Sequence, residues 1–236
     1  MSEPVIVLDK LTKSYGKRRG IDGVTFSVNA GEIFGFIGPN GAGKSTTIRT
    51  LMGLLNPTGG HASIFGLDCS QYAAEIARNV GYLPSENCYY NDLKVKDMLQ
   101  YTADLYGMDC HSRMAELAER LNLDLSRKIR DLSLGNKKKV GIVSALLPAP
   151  KLLIMDEPFV GLDPKATHQV KTLMRDICSQ GGAIFFSTHV LEVAEKLCDE
   201  IAIIKQGKLI KSGPTDEVIG DESLETVFLE LEGDHV

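Results

Sequence analysis

Gly38-Pro39-Asn40-Gly41-Ala42-Gly43-Lys44-Ser45-Thr46 is the stretch from which the rest of the chain is read. It fits Gly-x-x-x-x-Gly-Lys-[Ser/Thr], a loop that wraps phosphate. Ile33-Phe34-Gly35-Phe36-Ile37 before it is a short apolar run and predicts a buried strand. Thr46 to Met52 after it predicts the first turns of a helix. Gly38, Gly41 and Gly43 permit backbone angles and close approaches that a β-carbon blocks. Successive N–H groups then enclose a phosphate, with the positive end of the following helix behind them. Lys44 offers a cation to the outer phosphates, and the Ser45 hydroxyl offers a ligand to Mg²⁺. A glycine-rich turn with an exposed lysine is the plainer reading, and the flanking strand and helix argue against it.

Working outward, the composition fits a soluble globular protein. The chain has 236 residues, 43% apolar and 24% charged, enough for one large domain or two small ones. A net charge of −5 argues against a general nucleic-acid surface, and no nucleic-acid partner is expected. No apolar run approaches the roughly 18 residues of a membrane span. Met1-Ser2-Glu3-Pro4 lacks the basic and apolar regions of a secretory leader. Cys69, Cys88, Cys110, Cys178 and Cys198 are scattered, odd in number and without C-x-x-C spacing, so reduced thiols are expected rather than disulfides or a zinc site.

Before the loop, Val5–Leu8 predicts a strand and Leu11–Tyr15 a second extended piece. A polar loop, Gly16 to Gly20, leads into Ile21–Val28, where Val24, Phe26 and Val28 alternate with polar residues. This front section reads as an antiparallel layer on the nucleotide core. After the loop, the helix is expected to end near Asn56-Pro57, followed by a strand over His61–Phe65, a helix over Tyr72–Asn79 and a strand over Val80–Pro84. From Ser85 to Leu147 the pattern turns helical. Val95, Met98, Leu99 and Thr102 share one face, as do Met114, Leu117, Ala118 and Leu121, and both stripes read as core. Ser133 precedes a helix that Pro148 and Pro150 end. Lys151–Pro158 and Ala183–His189 are apolar strands ending in polar residues, with a helix over Ala166–Ser179 between them. Val190–Cys198 follows as a helix, Ile201–Lys205 as a strand, and Gln206-Gly207 as a hairpin turn. This alternation gives an α/β fold with a mostly parallel central sheet.

Asp156 and Glu157 close an apolar strand at its C-terminal end, where open α/β sheets hold ligands. A phosphate loop needs one acid for Mg²⁺ and a base to orient water. Asp156 suits the metal and Glu157 the water. A capping or surface acid pair is the alternative when the pair is seen alone. His189 ends the neighbouring apolar strand and is read either as a γ-phosphate contact or as an ordinary satisfied histidine.

These motifs, in this order, make the chain resemble the nucleotide-binding subunit of an ABC transporter over nearly its whole length. Gly38–Ser45 is similar to the Walker A loop, Leu152–Asp156 to Walker B, and Val160-Gly161-Leu162-Asp163-Pro164 to the D-loop. The resemblance implies that Glu157 is the catalytic base and His189 the switch histidine. It implies a nucleotide site of Pro39, Asn40, Ala42 and Thr46 together with the loop residues already named, and that Tyr15, otherwise a packing residue, stacks on adenine. It implies ATP and Mg²⁺ as cofactors. It also implies a P-loop NTPase core over 1–84 and 148–215, an inserted helical subdomain over 85–147 and a helical tail over 216–236. Each chain would carry half of each active site. Lys44, Ser45 and the acids would face Ser133 and Gly135 of a second nucleotide-binding subunit, a homodimer. Hydrolysis would be coupled to separate integral membrane permease subunits, with the chain cytoplasmic and peripheral on the inner face of the cell membrane.

Two departures from the family pattern stand out. The signature, usually Leu-Ser-Gly-Gly-Gln, is Leu132-Ser133-Leu134-Gly135-Asn136; Ser133 and Gly135 remain to grip a γ-phosphate at a helix N-terminus. The expected Q-loop glutamine is Ser85, followed by Glu86. Serine is too short to reach Mg²⁺ directly, so a bridging water or Glu86 is the route left. Lys137-Lys138-Lys139 follow the signature and read as a solvated basic face, with a phosphate-directed role as the alternative. Leu224, Val227, Phe228 and Leu231 make a short amphipathic tail helix behind Asp221 and Glu222. It resembles the ends of ABC-2 type and drug-export subunits, or it simply packs on its own domain. Competing functional readings are a soluble ABC-type ATPase in assembly or repair, and a weakly hydrolysing regulatory module. ATP is expected to bind, with coupling between metal, nucleotide and helical region weakened or rewired. Ser85→Gln is therefore expected to differ from wild type in ATP turnover and in coupled transport, both measurable side by side.

Overall fold

The computed structural model describes residues 4–16 and 18–233. Lys17, in the expected polar loop, Met1-Ser2-Glu3 and the side chain of Leu231 lie outside what is described. The chain opens with β1 (Pro4–Tyr15) and β2 (Arg18–Asn29), then β3 (Ile33–Ile37), the phosphate loop and α1 (Lys44–Leu51). β4 (Gly59–Ile64), β5 (Leu67–Asp68), α2 (Ala73–Ala77) and β6 (Val80–Leu83) lead to α3 (Val95–Tyr106), α4 (His111–Arg120) and α5 (Leu134–Leu146). β7 (Leu152–Asp156), α6 (Pro164–Ser179), β8 (Ala183–Thr188), α7 (Leu191–Leu197) and β9 (Glu200–Lys205) alternate. β10 (Lys208–Pro214), α8 (Thr215–Ile219) and α9 (Leu224–Gly233) end the chain.

Two sheets result. One has the order β2-β1-β4-β5 and is antiparallel. The other has the order β10-β9-β3-β8-β7-β6, parallel except for its β10 edge. The predicted α/β fold, with an antiparallel layer on a mostly parallel sheet, is the one observed.

Period-two alternation makes the central sheet serve two cores at once. In β3, Phe34 and Phe36 face the antiparallel sheet, while Ile33 and Ile37 face the helices. β8 repeats this with Ala183 and Phe185 on one side and Ile184 and Phe186 on the other. Between the sheets, Phe26 stacks on Phe34 with ring centroids 5.0 Å apart, and Phe185 lies 5.7 Å from Phe26. Of the helical stretch, Met114, Leu117, Ala118 and Leu121 are buried in the other core with Val95 and Leu99, while Met98 and Thr102 are only partly buried.

Several boundaries differ from expectation. The two expected N-terminal pieces are one strand, β1, whose register shifts between Leu8 and Leu11 where Lys10 takes φ 49°. The Lys10 N–H donates to Thr25 Oγ1 at 2.9 Å, so a cross-strand side chain satisfies the bulge. The strands approach within the expected polar loop, reaching Tyr15 and Arg18. α1 stops at Leu51, not near Asn56. Gly53 (φ 67°) makes a left-handed cap, with Leu54 N–H donating to Arg49 O at 2.9 Å and Gly53 N–H to Thr50 O at 3.1 Å. No helix occupies residues 84–94, where backbone bonds run instead to the segment around Arg127–Arg130. Gln206 and Gly207 both have positive φ, the type I′ geometry expected for a two-residue hairpin. α9 packs on its own domain: Leu224 and Val227 are buried, Phe228 lies against the core, and Leu224 N–H donates to Glu195 Oε2 at 2.9 Å.

Burial also sorts the thiols. Burial raises the Cys69 and Cys178 pKa values to about 12, with Asp68 and Asp199, respectively, adding to the effect, while Cys88 is exposed. At about pH 8 a maleimide should label Cys88 fast and the other four only after unfolding, read by mass spectrometry.

Candidate active site

The phosphate loop owes its shape to what lies behind it. A β-carbon on Gly38 would stand 2.3 Å from the Ile204 carbonyl oxygen, so this position admits only glycine. Gly43, at φ 113°, approaches Ile21 and the Gly20 carbonyl. The hairpin turn braces the loop directly: Gly207 N–H donates to Ala42 O at 2.8 Å. Gly41 takes φ 81° with open space around it, so there the backbone angle alone selects glycine.

A cavity of about 630 Å³ opens over this loop. Pro39, Asn40, Gly41, Gly43, Lys44, Ser45 and Thr46 form its floor, and Tyr15, Gly20, Ser85 and Glu157 form its walls. Ala42 is buried beneath the loop, as is Gly38. Tyr15 is 48% exposed, with Lys13 Nζ 5.5 Å from its ring centre. Gly20 leaves room for that ring, since a β-carbon there would lie 2.8 Å from Tyr15 Cε2.

The charged groups converge on one carboxylate oxygen. Lys44 Nζ donates to the Gly38 carbonyl at 2.6 Å and to the Pro39 carbonyl at 3.2 Å, and lies 3.2 Å from Glu157 Oε1. His189 Nδ1 lies 3.0 Å from the same oxygen. Both contacts are at ion-pair distance but lack good hydrogen-bond angles, so Oε1 has close cationic and imidazole neighbours and no directed bond. Glu157 itself takes φ 51°, a left-handed conformation that a residue with a side chain adopts at a cost of about 1 kcal/mol or more.

Asp156 and Glu157 are tied together by Ser187, a residue the sequence did not single out. Ser187 Oγ donates to Asp156 Oδ1 at 2.5 Å and accepts from Glu157 N–H at 3.0 Å. Parallel pairing of β7 and β8 puts Asp156 opposite Ser187 and creates this contact. The only prior signal was a hydroxyl at the polar end of an apolar strand. Asp156 Oδ2 is buried without a hydrogen-bond partner. A buried carboxylate oxygen left without a partner fits a hard cation such as Mg²⁺, although Asp156 itself is not among the residues lining the cavity that Ser45 lines. Among the described residues no three His, Cys, Asp or Glu side chains group to hold a metal alone, so such an ion would draw further oxygens from phosphate and water.

Ser133 and Gly135 are not among the residues lining this cavity. Ser133 caps α5 and accepts from Asn136 N–H at 3.3 Å. Gly135 packs against the Val160–Pro164 segment, where its β-carbon would stand 2.6 Å from Gly161 O. Leu134 projects outward, 66% exposed. Glu86 is exposed, and Ser85 is half-buried at the cavity wall.

The expected solvated basic face is not observed. Lys138 is 5% and Lys139 8% exposed, because α5 is inserted into the core and Val140 to Val143 behind them are buried as well. Burial lowers the Lys138 pKa, partly offset by Asp156 and Glu157 nearby. Tyr82 titrates higher than usual, chiefly through burial, with Asp156 adding to the effect.

Comparison with known proteins agrees with this geometry. The ABC transporter family model matches residues 21–160, more than half of the chain. The chain is 37% identical over 219 residues to an ABC transporter ATP-binding protein of Bacillus subtilis, YhaQ, covering 91% of this chain and 72% of that one. It is 37% identical to the bacitracin transport ATP-binding protein BcrA of Bacillus licheniformis, covering 91% and 71%. It is 36% identical to the Nod factor export ATP-binding protein I of Paraburkholderia xenovorans, covering 94% and 75%. A solved ATP-binding subunit of an ABC transporter superposes with a TM-score of 0.90 at 34% identity, covering 97% of this chain and 99% of that one. The chain belongs to the ABC transporter ATP-binding family, with its P-loop NTPase fold.

Ser187→Ala leaves a buried carboxylate oxygen and a backbone N–H unpartnered. It should destabilise the fold by about 1–3 kcal/mol, measured by urea unfolding.

Proposed function

We propose that this chain binds and hydrolyses ATP, dimerises on it, and powers a separate membrane permease in an export system. The observation that carries the reading is that Lys44, Ser45 and Glu157 line one cavity over the phosphate loop, with Lys44 and His189 both within 3.2 Å of Glu157 Oε1. ATP lies with its phosphates over Gly38–Thr46 and its base against Tyr15. Ser45 and Asp156, with Ser85 through a water, would hold Mg²⁺, which would supply neutralisation of phosphate charge. As Lys44 turns to the phosphates it releases Glu157 Oε1. Glu157 then takes the proton of the attacking water while the bond between the γ-phosphorus and the bridging oxygen breaks, yielding ADP and phosphate. His189 holds the Glu157 carboxylate and contacts the γ-phosphate.

Ser133 and Gly135 serve the site of a second copy, which accords with their absence from this chain's cavity wall. The nucleotide-binding core is taken as 1–84 and 148–215, the helical subdomain as 85–147 and the tail as 216–236. No helix among the described residues is long and apolar enough to cross a membrane. We take the permease as a separate chain, with this subunit on the cytoplasmic face, as the family resemblance implies. The Nod factor export relative favours export. A weakly hydrolysing module is the second reading, favoured by Ser85 and the outward-facing Leu134.

Glu157→Gln is expected to keep ATP affinity, lower phosphate release by about 100-fold or more, and accumulate an ATP-bound dimer on size exclusion. Unchanged turnover in that variant excludes Glu157 as the base, and negligible turnover in the wild type selects the second reading.

A further inference from the structure

Lys138 lies one turn into α5 and is almost fully buried. A buried lysine is rare and costly unless its ammonium is used. Here Nζ donates to the backbone carbonyl of Ser85 at 3.0 Å. Ser85 lines the nucleotide cavity together with Lys44 and Glu157. The ammonium is also within electrostatic reach of Asp156 and Glu157. The chain following β6 is fastened to the same helix further along. Tyr89 Oη donates to Lys137 O at 2.8 Å. Gly141 admits it closely, since a β-carbon there would stand 2.7 Å from Leu83 Cδ1, 2.8 Å from Tyr89 Oη and 3.0 Å from Asn87 Oδ1. Residues 83–89 are therefore held against α5, the helix capped by Ser133 and carrying Gly135 in its first turn.

We propose that Lys138 is a positioning residue for ATP hydrolysis, tying the Ser85 wall of this chain's cavity to the helix that grips the nucleotide of a second copy. The inference rests on the ATPase reading above. The tie runs through the Ser85 carbonyl and needs no long side chain at position 85, which removes the puzzle of a serine there. A nucleotide seated against Ser133 and Gly135 fixes α5, Lys138 carries that constraint to Ser85, and the wall beside Glu157 is set for attack in the chain's own site. Loss of the tie leaves ATP free to bind over Gly38–Thr46 but misplaces the wall, which lowers turnover rather than affinity.

The test measures phosphate release against ATP concentration, with Mg²⁺, for the full-length wild type, Lys138→Met and Lys138→Arg, and thermal unfolding of each. Lys138→Met is expected to lower kcat about tenfold, leave KM within about twofold, and bring the Hill coefficient toward one. Lys138→Arg, which can donate to the same carbonyl, is expected to restore about half of the rate or more. If Lys138→Met does not fold, Lys138→Gln, which keeps an N–H donor without the charge, takes its place; a rate between those of wild type and background with unchanged KM is the supporting result. Wild-type kcat and Hill coefficient in the substituted protein overturn the proposal. So does a joint fall in kcat, affinity and melting temperature that arginine does not relieve, since that marks a merely structural lysine. An inactive wild type overturns the ATPase reading itself, and a wild type that turns over beside an unaffected variant overturns only the role of Lys138.

Discussion

The phosphate loop keeps its shape because the backbone of a distant hairpin presses against it. Ile204 O leaves no room for a side chain at Gly38, and Gly207 N–H closes onto Ala42 O. These contacts fix the path of the chain between β3 and α1. That path in turn aims Lys44 across the loop at the Gly38 carbonyl and at Glu157. Had the loop been free to relax, its N–H groups would have to be ordered by the ligand, at a cost in affinity. Here that ordering is completed by folding.

The same sheet fixes the acids. β3 lies between β8 and β9, and β7 lies beside β8, so the C-terminal ends of four parallel strands open to one side. Asp156, Ser187 and Thr188 are brought there by register alone, and Glu157 and His189 by the first residue beyond each strand. The burial that drives this is symmetric. Each central strand gives alternate residues to the aromatic core under the antiparallel sheet and to the helical core above, so a slip of one residue would exchange the two sets. Position at the catalytic edge is thus enforced by packing along the whole strand length.

α5 joins the two halves of this design. Its N-terminus presents Ser133 and Gly135 away from the chain's own cavity, while its second turn sends Lys138 back to Ser85 at the cavity wall. Most of the helix is buried, so its position is set by close packing against its neighbours.

The sequence by itself determined most of the elements and pointed to the phosphate loop. Gly38–Thr46 has fixed spacing, the apolar runs at Ile33–Ile37, Leu152–Met155 and Ala183–Phe186 end in polar groups, and these are local patterns that need no tertiary knowledge. Local patterns also misled where tertiary contacts compete. The bulge at Lys10 is satisfied by Thr25 from another strand, and the early end of α1 depends on one left-handed glycine. Lys137–Lys139 looked like a wet face because charge usually seeks water, and only the insertion of α5 into the core makes two of those lysines buried. Ser187, Gly20 and Lys138 acquire their roles through residues 30 or more positions away, or through a ring packed beside them. What the tertiary structure alone decided is which groups share a cavity. Hydrogen bonds and charge act over a few ångströms in space, and sequence separation carries no information about that distance until the sheet register is set.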